Sequence, residues 1–265
     1  LFYLGTSGYH FRDWIGTAYP EDIKPSQMLN YYRSIWHFNT VELNFTYYRM
    51  PDYHTLAAIS RKVPGDFHFT VKSPGSITHE YWKNLEFEKA IDDLTLFKNA
   101  LAPLRSEGRL GPVLFQFPWG FRPTNDNLGY LKAIMDFCTE SELIPAVEFR
   151  HSSWEIDEYG NMLIQQNAIP VIVDAPKIDN LFGYRSIAGR GAAYFRLHGR
   201  NVDWFTSNGS ERYNYNYSDD ELRFFALDVI EFLSKGLDVY VYFNNCHMGN
   251  AVHNALRFRE IVGGA

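Results

Sequence analysis

Ala146-Val147-Glu148-Phe149-Arg150 sets three apolar residues and two charged ones in a strand-length run. An extended chain alternates its side chains with period two, so Ala146, Glu148 and Arg150 share one face while Val147 and Phe149 share the other. The apolar pair reads as the face packed on covering helices, which turns the charged pair toward the inside of the fold. Seven further runs follow the same pattern: 2–4, 41–44, 67–72, 113–117, 171–174, 194–198 and 239–244. Helix-length segments separate most of them, the signature of parallel strands joined by crossovers. Eight such units predict an α/β fold, a parallel eight-stranded (β/α)8 barrel of the TIM type. The 265 residues match the roughly 250 typical of one such barrel, so a single domain over 1–265 is expected.

The crossovers supply the helices. Apolar periodicity and stop signals place them at 27–37, with Ser26 as a cap, and at 53–62, halted by Pro64-Gly65. Others are expected at 86–104, at 124–141 with Thr124 as a cap, at 155–167, at 219–235 and at 250–261. The segment 175–192 contains Pro176, Gly183, Gly189 and Gly191 without helical period, so the sixth crossover reads as irregular. A long polar and aromatic loop, 199–217, follows the seventh strand. Loops above about 15 residues are usually functional or disordered.

Composition narrows the classes. A net charge of −6, from 25 basic and 31 acidic residues, gives no general attraction for polyanions, so a nucleic-acid role would need a local basic surface. No apolar stretch is long enough to cross a bilayer, and a membrane partner is not expected. The start at Leu1 leaves no room for a secretory signal, which together with two unpatterned cysteines, Cys138 and Cys246, predicts a cytoplasmic, reduced protein. The triplets Asn44-Phe45-Thr46, Asn208-Gly209-Ser210 and Asn216-Tyr217-Ser218 match the glycosylation sequon but carry little meaning without such a signal.

In barrels of this class the strand C-termini carry the site. Alternation assigns the inward set as Glu42, Asn44, Thr70, Lys72, Gln116, Glu148, Arg150, Asp174, Arg196, His198, Tyr242 and Asn244. Glu42 and Glu148, on strands two and five, suit a general acid and base whose surroundings split their pKa values. The competing reading is a structural network in which Lys72, Arg150 and Arg196 neutralise Glu42, Glu148 and Asp174. Lys72 has a strand-end position compatible with a Schiff base, but neighbouring carboxylates favour an electrostatic role. His198 has the chemistry to shuttle a proton or ligate a metal. A divalent metal held by Glu42, Glu148, Asp174 and His198 is the rival cofactor. It is disfavoured by three basic side chains in the same set and by the absence of a zinc-type spacing around Cys246, His247 and His253.

Anion binding has more support. The loops after strands seven and eight, Gly199-Arg200-Asn201 and 244–250, offer small residues, backbone N–H groups and the guanidiniums of Arg196 and Arg200. Asn245 lies in the second loop. Tyr9, Trp14, Tyr47, Trp119 and Trp154 are candidate aromatic caps over a ligand.

Several of these segments also form one ordered set. Gly5-Thr6-Ser7-Gly8-Tyr9, Trp14-Ile15-Gly16, Val41-Glu42-Leu43-Asn44, Phe69-Thr70-Val71-Lys72 with Thr78-His79, Gln116-Phe117-Pro118, Glu148-Phe149-Arg150-His151 with Ser153-Trp154, Arg196-Leu197-His198-Gly199 and Tyr242-Phe243-Asn244-Asn245 resemble the YecE-like family, also called domain of unknown function 72. The resemblance covers nearly the full chain. It implies a TIM-type barrel related in shape to sugar isomerases and AP endonucleases, and it implies no activity. Tyr9, Ala18 and Cys246-His247-Met248 depart from the family pattern, at the rim more than at the strand ends.

The reading that follows is an enzyme, a hydrolase, lyase or isomerase, acting by acid/base chemistry on a small anionic substrate, phosphorylated or carbohydrate-like. Glu42, Glu148, Lys72 and His198 would form the catalytic set. Asn44, Gln116, Arg150, Asp174, Arg196, Gly199, Arg200, Tyr242, Asn244, Asn245, Tyr9 and Trp14 would bind the substrate. The alternatives are nucleic-acid binding or metal-assisted phosphodiester processing, and a barrel that binds a ligand without catalysis.

Overall fold

A computed structural model describes residues 1–207 and 209–264, so the Asn208 triplet begins outside the described residues. Eight strands form one parallel sheet: β1 (Phe2–Thr6), β2 (Thr40–Leu43), β3 (His68–Lys72), β4 (Leu110–Gln116), β5 (Pro145–Glu148), β6 (Ile169–Asp174), β7 (Ala192–Leu197) and β8 (Asp238–Phe243). Their order is β1-β8-β7-β6-β5-β4-β3-β2. Ser7, just beyond β1, forms a parallel bridge with Glu42 in β2, so the two strands at the ends of that order also meet. This is the strand succession of a (β/α)8 barrel. No helix among the described residues is long and apolar enough to cross a membrane.

Most crossovers carry the expected helices: α1 (Met28–Ser34), α2 (Tyr53–Ser60), α3 (Phe87–Ala100), α4 (Ala102–Ser106), α5 (Asn125–Glu140), α6 (Asp157–Gln165), α7 (Asp219–Ser234) and α8 (Asn250–Gly263). Thr124 caps α5 by accepting from Asn127 N–H. Ser218 caps α7 in a capping box with Glu221, satisfying two N-terminal donors reciprocally. Ser26 is not a cap: α1 begins after Gln27, whose side chain instead accepts from Lys24 N–H. The expected helix 86–104 is divided, because Pro103 has no N–H and fits only the first turn of the new helix α4. The sixth crossover is irregular, as expected. Its residues 180–182 pair with 150–152 through the bonds Ser152 N–H to Asn180 O and Phe182 N–H to Arg150 O.

Two compact units emerge. The first comprises 1–42, 172–179 and 183–265, the second 43–171 and 180–182. The first is centred on β1, β7 and β8 and buries an aromatic cluster in which Tyr19 and Trp36 lie 4.6 Å apart. The second buries Phe117, Phe121, Phe149 and Trp154, with Phe149 and Trp154 stacked at 4.0 Å.

Register corrects one strand assignment. β5 pairs Ala146 with Ile169 and Val147 with Pro170, so Ile169, Val171 and Val173 share the face of Ala146 and Glu148. Asp174 therefore falls on the opposite face from the one assigned to it by its position at the end of an apolar run.

Gly5 tests the packing of the first unit. A Cβ there would lie 2.1 Å from the Thr40 carbonyl oxygen and 2.6 Å from the Tyr32 hydroxyl, which itself bridges Thr6 N–H and Thr40 O. Gly5→Ala is expected to cost at least about 2 kcal/mol in urea unfolding. Gly129→Ala, on the exposed face of α5 with nothing within 4 Å, is expected to gain about 0.5–1 kcal/mol. Equal effects of the two substitutions would refute this packing account.

Candidate functional site

In the first unit β7 presents Tyr194, Arg196 and, one residue past its end, His198 on one face. Arg196 grips Glu42 by two parallel bonds, Nη2 to Oε1 at 2.7 Å and Nε to Oε2 at 3.0 Å. The Tyr194 hydroxyl donates to the same carboxylate at 2.7 Å. Glu42 is wholly buried and Arg196 is 2% exposed. Burial acts to raise the Glu42 pKa, but the charge and hydrogen bonds of Arg196, with Tyr194 and Ser7, outweigh it and hold the carboxyl below its usual value.

A second network stands at the N-terminus of α7. Arg200 binds Asp174 through Nε and Nη2, the latter at 2.8 Å, and reaches Glu221 through Nη1 at 2.8 Å. The Tyr217 hydroxyl donates to Asp174 at 2.6 Å and accepts from Gly199 N–H at 2.7 Å. Tyr215 donates to Glu221, which contributes to raising the phenol to about 12 after burial itself. Asn245 and Asn254 clamp the same loop by bonding the backbone of Tyr215 and Tyr217. Both ends of the loop 199–217 are thus tied to one polar cluster.

His198 is buried, with its Nδ1 2.7 Å from Asn244 Nδ2. That contact suits the neutral tautomer with its proton on Nε2, in which Nδ1 accepts from the Asn244 amide. Trp204 and Tyr213 flank the imidazole at 5.9 and 6.4 Å.

The second unit gathers its charges at the ends of β3, β4 and β5. Lys72 Nζ donates to Gln116 Oε1 at 2.8 Å and sits 4.4 Å from the centre of the Tyr47 ring. Arg150 Nε pairs with the buried Glu148 carboxylate at 2.6 Å. After β3 the chain makes a single π-type turn, Ser76–Glu80, which presents His79. Its ring stands edge-on to Tyr47 at 4.9 Å, and its Nδ1 lies 2.9 Å from the Thr78 hydroxyl. Burial, then the charges of Lys72, Arg150 and Lys83, lower the His79 pKa from 6.5 to about 4.

Of the residues predicted from sequence, Glu42 and Arg196 pair in the first unit, and Lys72, Gln116, Glu148 and Arg150 lie at neighbouring strand ends in the second. Asn44 follows β2 and turns the chain, its carbonyl accepting from Tyr47 N–H. Several expectations are corrected. Trp14 is wholly buried with its indole donating to the Cys246 carbonyl, and Trp154 lies in the aromatic stack, so neither caps a ligand. Tyr242 is wholly buried and its hydroxyl shares a hydrogen bond with Thr40. Tyr9 leans on Tyr32 and is half-buried. The anion cradle after strands seven and eight is filled by the protein's own groups: Gly199 N–H is taken by Tyr217, Arg200 by Asp174 and Glu221, and Met248 N–H by Asp13 Oδ2 at 2.9 Å. Among the described residues no group of three His, Cys, Asp or Glu side chains is placed to hold a metal.

Tyr194, Tyr217 and Glu221 were missed, and His79 stood only in the family segment Thr78-His79, with no role given to it. Tyr194 also had an available signal, since it shares strand parity with Arg196.

The fold and these strand-end charges define a (β/α)8 barrel protein with buried ion pairs where such barrels keep their sites. The family model described as "Protein of unknown function DUF72" matches residues 3–265, and the chain belongs to that family. It is 27% identical to the UPF0759 protein YunF of Bacillus subtilis (strain 168), over 99% of this chain and 95% of that protein. The crystal structure of a DUF72 family protein (TM1631) from Thermotoga maritima MSB8 superposes with a TM-score of 0.91, at 45% identity and 99% coverage of both chains. A DUF72 family protein (EF0366) from Enterococcus faecalis V583 gives 0.84 at 26% identity, covering 99% of this chain and 96% of that one.

Two outcomes test the electrostatics. Arg196→Met leaves a buried carboxylate unpaired and is expected to cost about 3–5 kcal/mol in urea unfolding, with most of the loss recovered by adding Glu42→Leu. A loss below about 1 kcal/mol would show the pair to be dispensable. For His79, the folded pKa lies below the unfolded one, so between 6.5 and about 4 the unfolded chain binds the extra proton. Its contribution is fully present above 6.5 and is lost as pH falls toward 4. His79→Gln should flatten the stability profile in that window, and an unchanged slope would mean that His79 titrates normally.

Proposed function

We propose that this protein is an enzyme that acts by acid/base chemistry on a small anionic metabolite, and that the reaction is carried by the strand ends of the second unit. The observation behind this reading is the grouping of Lys72, Gln116, Glu148 and Arg150 at the ends of three consecutive strands, β3 to β5. Glu148 is a wholly buried carboxylate with Arg150 against it. Such a group accepts a proton from a substrate carbon or hydroxyl at the moment charge moves, and Arg150 steadies both its orientation and its ionised form. Lys72, oriented by Gln116 and by the face of Tyr47, supplies a fixed positive charge for the anionic group of the substrate. In this scheme Glu42 is not the acid. Its bidentate pairing with Arg196 keeps it ionised, and it acts as a fixed charge that orients Arg196.

A second reading has its own observation. Tyr48 is 86% exposed, and Trp119 is 40% exposed with the Arg122 guanidinium 4.9 Å over its ring. Exposed aromatics beside arginine suit stacking of single-stranded nucleic acid, and that mode carries a steep salt dependence.

A thermal-shift panel of phosphorylated sugars, small carboxylates, nucleotides and short oligonucleotides is the direct experiment, because a ligand bound only by the folded state raises its melting temperature. A phosphorylated or carboxylated metabolite should stabilise both wild type and Glu148→Gln and be consumed only by wild type, followed by NMR of the mixture. A Glu148→Gln variant that turns the metabolite over at the wild-type rate removes Glu148 as the base. A shift confined to oligonucleotides, and abolished by salt, moves the assignment to the second reading.

A further inference from the structure

Beside the strand ends, the β3–α3 connection builds a feature that the acid/base scheme does not use. The π-type turn Ser76–Glu80 is held rigidly. Ser76 Oγ donates to Asp93 of α3 at 2.5 Å, and the Tyr130 hydroxyl of α5 donates to the Ile77 carbonyl at 2.7 Å. On the other side, a Cβ on Gly75 would stand 3.0 Å from both the Tyr47 carbonyl and its ring, so the turn lies hard against Tyr47. Thr46 Oγ1 in turn donates to the Lys72 carbonyl, which locks the Tyr47 segment to the end of β3. A π turn is rare and recurs at functional sites, because the extra residue re-aims a side chain. Here the side chain that it carries is His79.

We propose that His79, Lys72 and Arg150 form an oxyanion-binding site, in which the imidazole Nε2 meets an oxygen of a phosphate or carboxylate group and the two cations supply the charge. The proposal rests on the reading given above for the second unit and names the group by which that substrate is held. Thr78 engages Nδ1 at 2.9 Å, which leaves Nε2 as the nitrogen for a ligand. Edge-on contact with Tyr47 fixes the ring plane, and the same Tyr47 ring lies 4.4 Å from Lys72 Nζ, so ammonium and imidazole share one aromatic support. The charged and titratable groups that bear on His79 are Lys72 at the end of β3, Arg150 after β5 and Lys83 after the π turn, while Thr78 and Tyr47 are its neutral neighbours. The three charged groups are all cations. Burial first, and then their repulsion of a fourth positive charge, keep the imidazole uncharged at neutral pH; Glu148 offsets Arg150, and an arriving oxyanion offsets the positive charge that remains. Binding an oxyanion should therefore raise the His79 pKa, an effect that a merely structural histidine would not report.

The experiment uses the full chain labelled with 15N-histidine and titrated separately with inorganic phosphate and with acetate. The His79 ring resonances should move saturably, and their pKa should rise in the bound state. Phosphate-only saturation assigns the site to a phosphoryl group, and acetate-only saturation to a carboxylate. Lys72→Met should weaken the affinity roughly tenfold, the scale of one lost charge-assisted bond. If that variant does not fold, His79→Phe should give the same loss by calorimetry, with His79→Gln restoring affinity through its amide nitrogen. Resonances that stay still with both anions, or an affinity unchanged in Lys72→Met and in His79→Phe, overturn the site. Turnover dependent on Glu148 with His79 silent sinks this inference alone. Anion binding at His79 without any Glu148-dependent turnover sinks the catalytic reading and leaves the site standing.

Discussion

Burying a charge among apolar strands costs several kcal/mol unless a partner of opposite sign comes with it, and that constraint organises the strand ends of this protein. Glu42 is wholly buried and takes both ends of the Arg196 fork together with the Tyr194 hydroxyl. Asp174 is nearly as deep and takes Arg200 and Tyr217. Each arginine thus has a carboxylate to serve before any ligand arrives. The same residue types read from sequence as an anion cradle are therefore, in the first unit, the internal counter-ions of the fold. Even the backbone N–H of Met248, in the loop where such barrels often hold a phosphate, already meets the carboxylate of Asp13.

The strands were legible because their signal is local. Runs of apolar residues with a charged or amide end needed only period-two alternation to read, and each falls within a residue or three of an observed strand. Much of the charged set was legible for the same reason. Which face each charge occupies was less so, because facing depends on pairing register. Asp174 closes an apolar run as Glu148 does, yet β5 and β6 are paired one residue out of step with that analogy, and Asp174 turns the other way. The divided helix at Pro103 and the cap at Gln27 rather than Ser26 were local features misjudged for another reason: helical period continued across the break and a good capping residue lay one position too early.

His79 was illegible for a physical reason of a different kind. It lies on neither a strand nor a regular helix, so no periodicity points to it. What gives it meaning is a one-residue insertion into a helical turn, held by Asp93, Tyr130 and Tyr47, all distant in sequence. Its traces in sequence are its place in the segment Thr78-His79 and its position seven residues after Lys72, and neither gives it a role.

His198 and His79 make the contrast between the units concrete. In His198 and His79 alike a neighbouring polar group, Asn244 or Thr78, engages Nδ1. Around His198 stand two aromatic rings and a loop tied down by Asp174 and Glu221, an environment already satisfied. Around His79 the charges that act are cationic, and they push its pKa down after burial has done so. Glu148 already offsets Arg150, the charge left beside His79 is still positive, and in our reading an anion from outside the chain meets it. That difference, more than the presence of charge itself, places the chemistry at the ends of β3 to β5 in our reading and leaves the ion pairs of the first unit as the means by which its own strand ends stay buried.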